Sequence, residues 1–549
     1  MACKYPNAIN KKNRFIIPGC QAIFSKIKYY WFCLLKELLT LLQSRLSIQS
    51  YLYTPNNYRT ISSEGCGACL TFMRKIIQKT RTTLKVIFDK LTNEGVKTNL
   101  MQAIPFWIAS LITGMIAVFY ARLFSFAEKG TAWIVERNHF LLFIITPVCF
   151  LGAWWIVRRF ASYARGSGIP QVIAAVDLYG TASESKIRKL LSLRIIIVKI
   201  ASSLLMVLGG GVVGREGPTI QIAGSVFKKI GDWLPSWWPR LTNQNMIMAG
   251  AGAGLAAAFN TPLGGIVFTI EELTKTHISQ FKTALFSAVI IAGLTAQTFL
   301  GPYLYLGYPD VGNLSSWIFF AVIVVAIVAG IAGSLMGKII LQLLKWKSAF
   351  GSRTKHIAYI IVCAMLLISL SVFISSKALG SGKEIMNEVL FTHDKYLPWY
   401  IPLLRIGGSI LSFTTGAAGG IFAPALAAGA SIGSAFAGWF QLSEPNTNLL
   451  ILAGMVGLLT GVTRTPFTSA ILVLEMTDRH SVIFHLMLAG MIAGLASYLV
   501  DKHSFYDRLK MQYIKKITGN TDPHDIEDAV LEKKEKEITQ PEKITEAKE

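Results

Sequence analysis

Between Leu208 and Val226 the chain reads LGGGVVGREGPTIQIAGSV, with Arg215 and Glu216 set into an otherwise apolar, glycine-rich stretch. A charged side chain at bilayer depth costs roughly 2.5–3.5 kcal/mol on insertion scales, so an intramembrane carboxylate marks a candidate functional site. Pro218 suits the first position of a helix, where its missing N–H would be unpaired anyway, and the preceding glycines suit an irregular turn. A helix is therefore predicted to start near Pro218. Its start would leave backbone N–H groups unpaired and place the positive end of a helix dipole beside Glu216, a combination that attracts anions. Ionised Glu216 can itself fill such a position; protonated or swung aside, it vacates it for a dissolved anion. One carboxylate would then act as gate and proton carrier.

The elements that must position this residue are membrane helices. With 549 residues, 52% hydrophobic and only 15% charged, and a mean hydropathy of +0.47, the chain is too apolar to stay dissolved. Several stretches exceed the roughly 18–20 apolar residues that a spanning helix needs. The fold class expected is an all-α polytopic membrane protein. Some apolar stretches, among them Met246 to Ile270, Ile401 to Phe440 and Leu449 to Leu474, are too long or too rich in Gly and Pro for one simple helix.

A net charge of +23 could point to nucleic acid, but half of it sits in one place: residues 1–99 carry 16 Lys/Arg against 4 Asp/Glu. Basic segments flanking a first span stay cytoplasmic and meet lipid headgroups, so the partner expected is the bilayer and not nucleic acid. Tyr29 to Leu42, apolar but interrupted by Lys36 and Glu37, fits an amphipathic interfacial helix better than a cleaved leader. Cys66 and Cys69 have C-x-x-C spacing without a second pair, so no metal site is expected. Three parts follow: a basic cytoplasmic or interfacial region at 1–99, a transmembrane domain at 100–509, and a charged cytoplasmic tail at 510–549, read as disordered because it is too polar to build a core.

The transmembrane domain repeats itself, with halves at about 100–305 and 315–509. Laying Met246 to Glu271 over Leu450 to Glu475 at an offset of 204 matches Ala249 to Ala453, Gly250 to Gly454, Thr261 to Thr465, Pro262 to Pro466 and Glu271 to Glu475. At nearly the same offset GREGP, Gly214 to Pro218, falls on GIFAP, Gly420 to Pro424. Duplicated halves with broken helices in corresponding places point to a secondary transporter with a midplane site. Irregular backbone at that depth must be buried in protein or line a cavity, so both turns should face one shared space.

Three strings in order, GSGIP at Gly166 to Pro170, GREGP at Gly214 to Pro218 and GGIFAP at Gly419 to Pro424, with a late Tyr506 just after the last span, resemble the CLC family of chloride channels and proton/chloride exchangers. FNTPLGGIVFTIEE at Phe259 to Glu272 and the Arg464-Thr465-Pro466 turn extend the likeness to roughly Gln102 to Leu509. The resemblance is to prokaryotic-type members without CBS domains. It implies a fold of two inverted-topology repeats with broken, tilted helices. The Ser167 and Tyr506 hydroxyls would hold a dehydrated chloride with the N–H groups of Ile421 and Phe422. Glu216 would be the outer gating carboxylate, the backbone from Arg215 to Gly217 would line an outer anion position, and Glu272 would exchange protons with the inner solution.

The resemblance further implies a homodimer with one pathway per subunit and both termini cytoplasmic, in a plasma membrane or bacterial inner membrane. Chloride and protons are then substrates, with no cofactor. A carboxylate at Glu272 favours a proton-coupled antiporter over a passive voltage- or pH-gated channel, the alternative, and Ser167 favours chloride over nitrate. Glu271 is expected to be structural, paired with a basic residue. Gln171 and Ile173 depart from the acidic residues that some exchangers carry there, which points to a simpler or weaker proton route.

Two enzyme patterns compete with this reading. Gly209-x-Gly211-x-x-Gly214 satisfies a dinucleotide fingerprint but lacks a flanking βαβ unit. Gly429-x-Ser431-x-Gly433 satisfies a nucleophile elbow, so an intramembrane serine protease using Ser431 and His485 is the rival from another class.

Overall fold

The computed structural model describes residues 94–519 except 236–237, 240, 275–281, 302–304 and 393–394. These residues belong to one compact unit, 91–549. The segment Tyr29 to Leu42, the Cys66/Cys69 pair and residues 520–549 lie outside the described residues.

The first half comprises α1 (Glu94–Arg137), α2 (Leu142–Phe160), α3 (Ile169–Asp177), α4 (Leu193–Leu208), α5 (Glu216–Trp233), α6 (Asn243–Phe259), α7 (Pro262–Phe268) and α8 (Lys282–Leu300). The second comprises α9 (Ile318–Ser348), α10 (Arg353–Phe373), α11 (Lys383–Phe391), α12 (Tyr400–Thr414), α13 (Phe422–Trp439), α14 (Glu444–Thr463), α15 (Pro466–Thr477), α16 (Ile483–Tyr498) and α17 (Phe505–Thr518). Among the described residues, eight helices are long and apolar enough to cross a membrane. Among the described residues the only β-pairing is two isolated bridges, Gly166 with Ala418 and Gly214 with Gly420.

The overlong apolar stretches break where their sequence demands. Asn260 and Arg464, an offset of 204 apart, both adopt left-handed backbone, at φ 59° and 64°. Each ends a helix (α6, α14), and the Thr-Pro that follows restarts one (α7, α15). A left-handed residue closes a helix, and a proline just inside the next start gives up only an N–H that had no helical partner.

The two halves are joined reciprocally. Glu271 accepts from the N–H groups of Phe467 (3.2 Å) and Thr468 (2.7 Å) at the start of α15, and from the Thr468 hydroxyl. Glu475 accepts from the N–H groups of Leu263 (3.1 Å) and Gly264 (2.8 Å) at the start of α7. All three residue pairs, Glu271/Glu475, Leu263/Phe467 and Gly264/Thr468, share the offset of 204, so the contacts are those of a local two-fold axis. The antiparallel bridge between the equivalent turns at Gly214 and Gly420 obeys the same axis. Glu271 is thus structural, but its partners are the unpaired donors of a helix start and not the basic side chain expected.

Helix α14 is of membrane-spanning length, yet its apolar window is 100% buried inside the protein. Glycine makes this possible: a Cβ on Gly429 or Gly433 of α13 would run into the carbonyl oxygens of Gly454 or Leu450 on α14. Without a hydrophobic drive between helices in lipid, such close backbone approach is what holds them. The pair that mimicked a nucleophile elbow is therefore a helix-packing seam.

Two boundaries differ from expectation. Helix α5 begins at Glu216, two residues before Pro218, so the acidic residue is itself in the first turn. Helix α17 runs on to Thr518, because Leu509, Tyr513, Ile514 and Ile517 form a buried face. The folded part thus continues past residue 510, where the sequence placed the start of the tail.

Candidate functional site

Three helices start at one place. The N-cap residues of α3, α5 and α13, Gly168, Arg215 and Ile421, place no side chain of their own on the N–H groups that follow. Backbone pairing holds the starts together: Gly166 N donates to Ala417 O (2.8 Å), Gly419 N to Gly166 O (3.1 Å), and Gly214 and Gly420 exchange two bonds of 2.8 Å. At Gly217 a Cβ would collide with the Ser167 hydroxyl, so Gly217 is needed for α5 to approach α3. Pro170, Pro218 and Pro424 each lie within the first turn, so each helix gives up one donor that had no helical acceptor.

Of the residues singled out from sequence, the structure gathers Ser167, Glu216, Gly217, Ile421, Phe422 and Tyr506. Ser167 Oγ lies 3.5 Å from the Tyr506 hydroxyl, and both are buried. Tyr506 stacks on Phe422, with ring centroids 6.2 Å apart and planes 15° from parallel. Tyr506 sits in the first turn of α17, whose start is capped by Ser504 accepting from Asp507 N. Ile421 and Phe422 supply the first backbone of α13.

Glu216 is 1% exposed. Its carboxylate faces its own backbone N–H and that of Ala423 at the start of α13, while Oε2 has no hydrogen-bond partner. A side chain of the first half thus rests on the helix start of the second, where an anion would be drawn. Arg215 lies at the edge of this group, its guanidinium donating to Ala258 O at 3.4 Å and within electrostatic range of Glu216; its backbone belongs to the turn. Glu272 stands apart in the irregular last turn after α7, half-buried, with the Tyr506 hydroxyl in electrostatic range of both it and Glu216.

Sequence reasoning passed over four charges, buried or half-buried, in or near the helix starts. Lys199, fully buried on α4, donates to Ala164 O (2.9 Å) and Gly166 O (2.7 Å) and so fixes the turn that carries Ser167. Arg405 donates to the carbonyls of Leu379 (2.7 Å) and Gly380 (3.1 Å). Lys347 donates to Thr414 O (2.8 Å) and Thr415 O (2.6 Å), just ahead of the second-half turn. Glu128 accepts from the Ser381 hydroxyl. Lys199 and Arg405 are lone charges in apolar runs, the same signal that exposed Glu216, whereas Lys347 follows Lys345 closely and Glu128 adjoins Lys129.

Gln171, where some exchangers carry an acid, has a packing duty. Its amide nitrogen donates to Arg165 O (2.7 Å), Tyr163 O (3.2 Å) and the Tyr513 hydroxyl (3.1 Å), tying the loop before Ser167 to α17. Ile173 is buried.

A cavity of about 1480 Å³ leads to Ser167 and Gly166 from one side. Nine Lys or Arg line it against two acids, Asp501 and Asp507. Burial pushes Asp501 up, but the His503 N–H and the Arg508 guanidinium prevail and hold it below the usual carboxylate range. Burial, and then the neighbouring Arg165 charge, hold Lys516 below the usual lysine value. The wall is electropositive, as a route for anions must be.

The protease rival finds no constellation. Ser431 donates to Ala427 O on its own helix (2.8 Å), and His485 stacks on Phe319 at 4.1 Å. No hydrogen bond joins them among the described residues. Gly209, Gly211 and Gly214 lead out of α4 into the turn, with no flanking strand.

Residues 149–498 match the family described as voltage gated chloride channel. The chain belongs to that family. Among curated relatives it is 27% identical over 466 residues to the H(+)/Cl(-) exchange transporter ClcA of Salmonella paratyphi A, covering 81% of this chain and 92% of the relative. ClcA of Citrobacter koseri is likewise 27% identical, over 473 residues. Among solved structures, a slow cyanobacterial Cl-/H+ antiporter superposes with a TM-score of 0.65 at 24% identity, covering 76% of this chain and 98% of that one. A CLC-type fluoride/proton antiporter gives 0.63 at 20% identity, covering 76% and 99%. The family's fold, an all-helical membrane domain with broken helices, is the fold of this chain.

Proposed function

We propose that the protein is a proton-coupled chloride antiporter and not an enzyme. The observation that carries this is Glu216, a buried carboxylate resting on the uncapped start of α13 beside the Ser167 and Tyr506 hydroxyls. Relatives named as H(+)/Cl(-) exchangers over most of their length support it. Chloride is a weakly basic anion, so hydroxyls and amides replace its water without trapping it as a fixed cation contact would, and conduction needs binding that releases. Ser167, Tyr506 and the N–H groups of Ile421 and Phe422 hold the central ion. The backbone from Arg215 to Gly217 lines the outer position.

Ionised Glu216 and chloride compete for positive backbone. A proton from outside neutralises Glu216, which leaves, and chloride takes its place; the proton later passes inward to Glu272, and Glu216, charged again, returns. Because the two occupants exclude one another, anion and proton fluxes run oppositely. In liposomes under a chloride gradient, proton uptake read by a pH electrode vanishes in Glu216→Ala while chloride efflux persists. Chloride movement by the native chain with no proton movement would replace this reading with a passive channel.

The working form is a homodimer in a plasma membrane, or the inner membrane of a bacterium, with both termini cytoplasmic. Support comes from the row α8, α7, α15, α16, whose neighbours touch in that order. It turns Leu294, Leu263, Phe467 and Leu495 outward. In its middle lie short helices and the half-buried carboxylates of Glu271 and Glu475. Broken backbone and carboxylates at membrane depth need protein over them, and a second copy of a face that already has two-fold symmetry supplies it.

A further inference from the structure

A proton from the outer solution must reach Glu216, which is 1% exposed. Glu128, on α1, is a carboxylate within electrostatic range of Glu216 and, unlike it, is only half-buried, so solution touches it. A carboxylate at membrane depth is costly to keep without a task.

The packing around Glu128 puts it beside the elements that hold Glu216. Thr131, one turn further along α1, donates to Val207 O (2.7 Å) and Leu208 O (3.2 Å) at the end of α4, from which the turn to Glu216 departs. The loop between α10 and α11 crosses the same place. Its Gly380 N donates to Gly210 O (3.4 Å) in that turn, and its buried Ser381 hydroxyl donates to the Glu128 carboxylate. A Cβ on the next residue, Gly382, would strike Ala427, one turn along α13 from Ala423, where Glu216 rests. Arg405 holds the loop through the carbonyls of Leu379 and Gly380. Glu128, Ser381, Thr131 and Gly210 line no part of the basic cavity, so this approach to Glu216 is separate from the anion route past Ser167.

The surroundings suit a group that gains and loses a proton. The hydrogen-bond partner is a neutral hydroxyl, which donates to an ionised carboxylate and turns to accept from a protonated one, so neither state is left unpaired. The charged groups facing Glu128 are Arg215 and Glu216 at the start of α5, Glu384 on α11 and Arg405 on α12, with Lys129 beside it on α1. Cations favour its charged form and carboxylates its neutral one, so the set locks it in neither.

We propose that Glu128 is the outer proton-loading group of the transport cycle, taking a proton from solution and passing it to Glu216. An acid in solution gives its proton to the Glu128 carboxylate; the proton moves on to the Glu216 carboxylate, which becomes neutral, and Glu128 is an anion again. This rests on the antiporter reading.

The test is turnover of the full-length chain in liposomes under a chloride gradient, with pH equal on both sides so that random orientation has no effect, for the native chain, Glu128→Gln and Glu128→Asp. Gln still accepts from the Ser381 hydroxyl but carries no proton. Because a positioned proton-transfer group is worth about 10²–10⁴-fold, Glu128→Gln is expected to run about tenfold slower than the native chain at pH about 7.5 and within about twofold of it at pH about 4.5, where solution acid is abundant. Its ratio of chloride to protons should be unchanged, since Glu216 is intact. Glu128→Asp keeps an acid and should lie between the two at the higher pH. A loss of rate that is the same at every pH, with a lowered melting temperature in detergent, would make Glu128 an anchor for the loop and overturn the proposal. So would a Glu128→Asp profile no better than that of Glu128→Gln, which stays decisive where the Gln variant folds poorly. If the native chain couples the two fluxes and Glu128→Gln follows its pH profile throughout, this inference alone fails; if the native chain moves chloride without protons, the antiporter reading fails and takes this inference with it.

Discussion

Glu216 was legible at once because a carboxylate in an apolar, glycine-rich run is too costly to persist without a function. Tyr506 was not, since a lone Tyr after a last span is equally at home in an interfacial belt; family resemblance drew it in, and its 3.5 Å approach to Ser167 gives it a place in the site. Removing one hydroxyl should weaken chloride binding by calorimetry in detergent about tenfold in Ser167→Ala or Tyr506→Phe, since a hydrogen bond to a charged group is worth about 1.5–3 kcal/mol. An unchanged affinity in both would remove the hydroxyls from the anion's shell. Lys199 was visible as an isolated charge, but nothing in its spacing names Ala164 and Gly166 as partners, because helix packing brings them together. In Lys199→Met those buried carbonyls lose their donor, at a cost of about 1–3 kcal/mol each, so the melting temperature and chloride affinity should fall together.

At the level of elements, the breaks in long apolar runs followed from Thr-Pro and Gly-rich strings, whereas the capping did not. Sequence paired Glu271 with Glu475 by offset and then assigned Glu271 a basic partner, because the unpaired donors of α7 and α15 become neighbours only once the halves cross. Glu475→Ala should destabilise by about 0.5–2 kcal/mol, the usual worth of a helix cap. Glu271→Ala should cost about 1 kcal/mol more, because it also loses the Thr468 hydroxyl. The double variant should be near-additive in thermal unfolding, since the two carboxylates serve different helices. A much smaller loss for Glu271 than for Glu475 would contradict the symmetric account.

For the whole molecule, the repeat could be seen in the sequence, but its sense could not: an offset says which residues correspond, and only contacts such as Glu271 to Thr468 against Glu475 to Gly264 reveal a two-fold axis. The tail boundary was misplaced for a related reason. Lys510, Lys515 and Lys516 read as solvated charge, while Leu509, Tyr513 and Ile517 on α17 are buried, and Lys510 is buried with them and paired with Asp177. A chain ending after Gly519 should therefore keep its melting temperature, and one ending at Asp501 should lose both it and chloride binding, having shed Tyr506. Light scattering in detergent should report a protein mass twice the 60.4 kDa of one chain; a single-chain particle would leave the outward row of α8, α7, α15 and α16 to lipid.

The Glu216 carboxylate springs from one repeat and leans on Ala423 of the other. A rocking motion about the pseudo-dyad, even one of a few tenths of an ångström, would therefore slide the acid against its backrest before any helix had to bend. Lipid thickness or lateral pressure acting on the outer rim would reach the turnover cycle through that seam, as load reaches a latch whose bolt and keeper are mounted on separate doors.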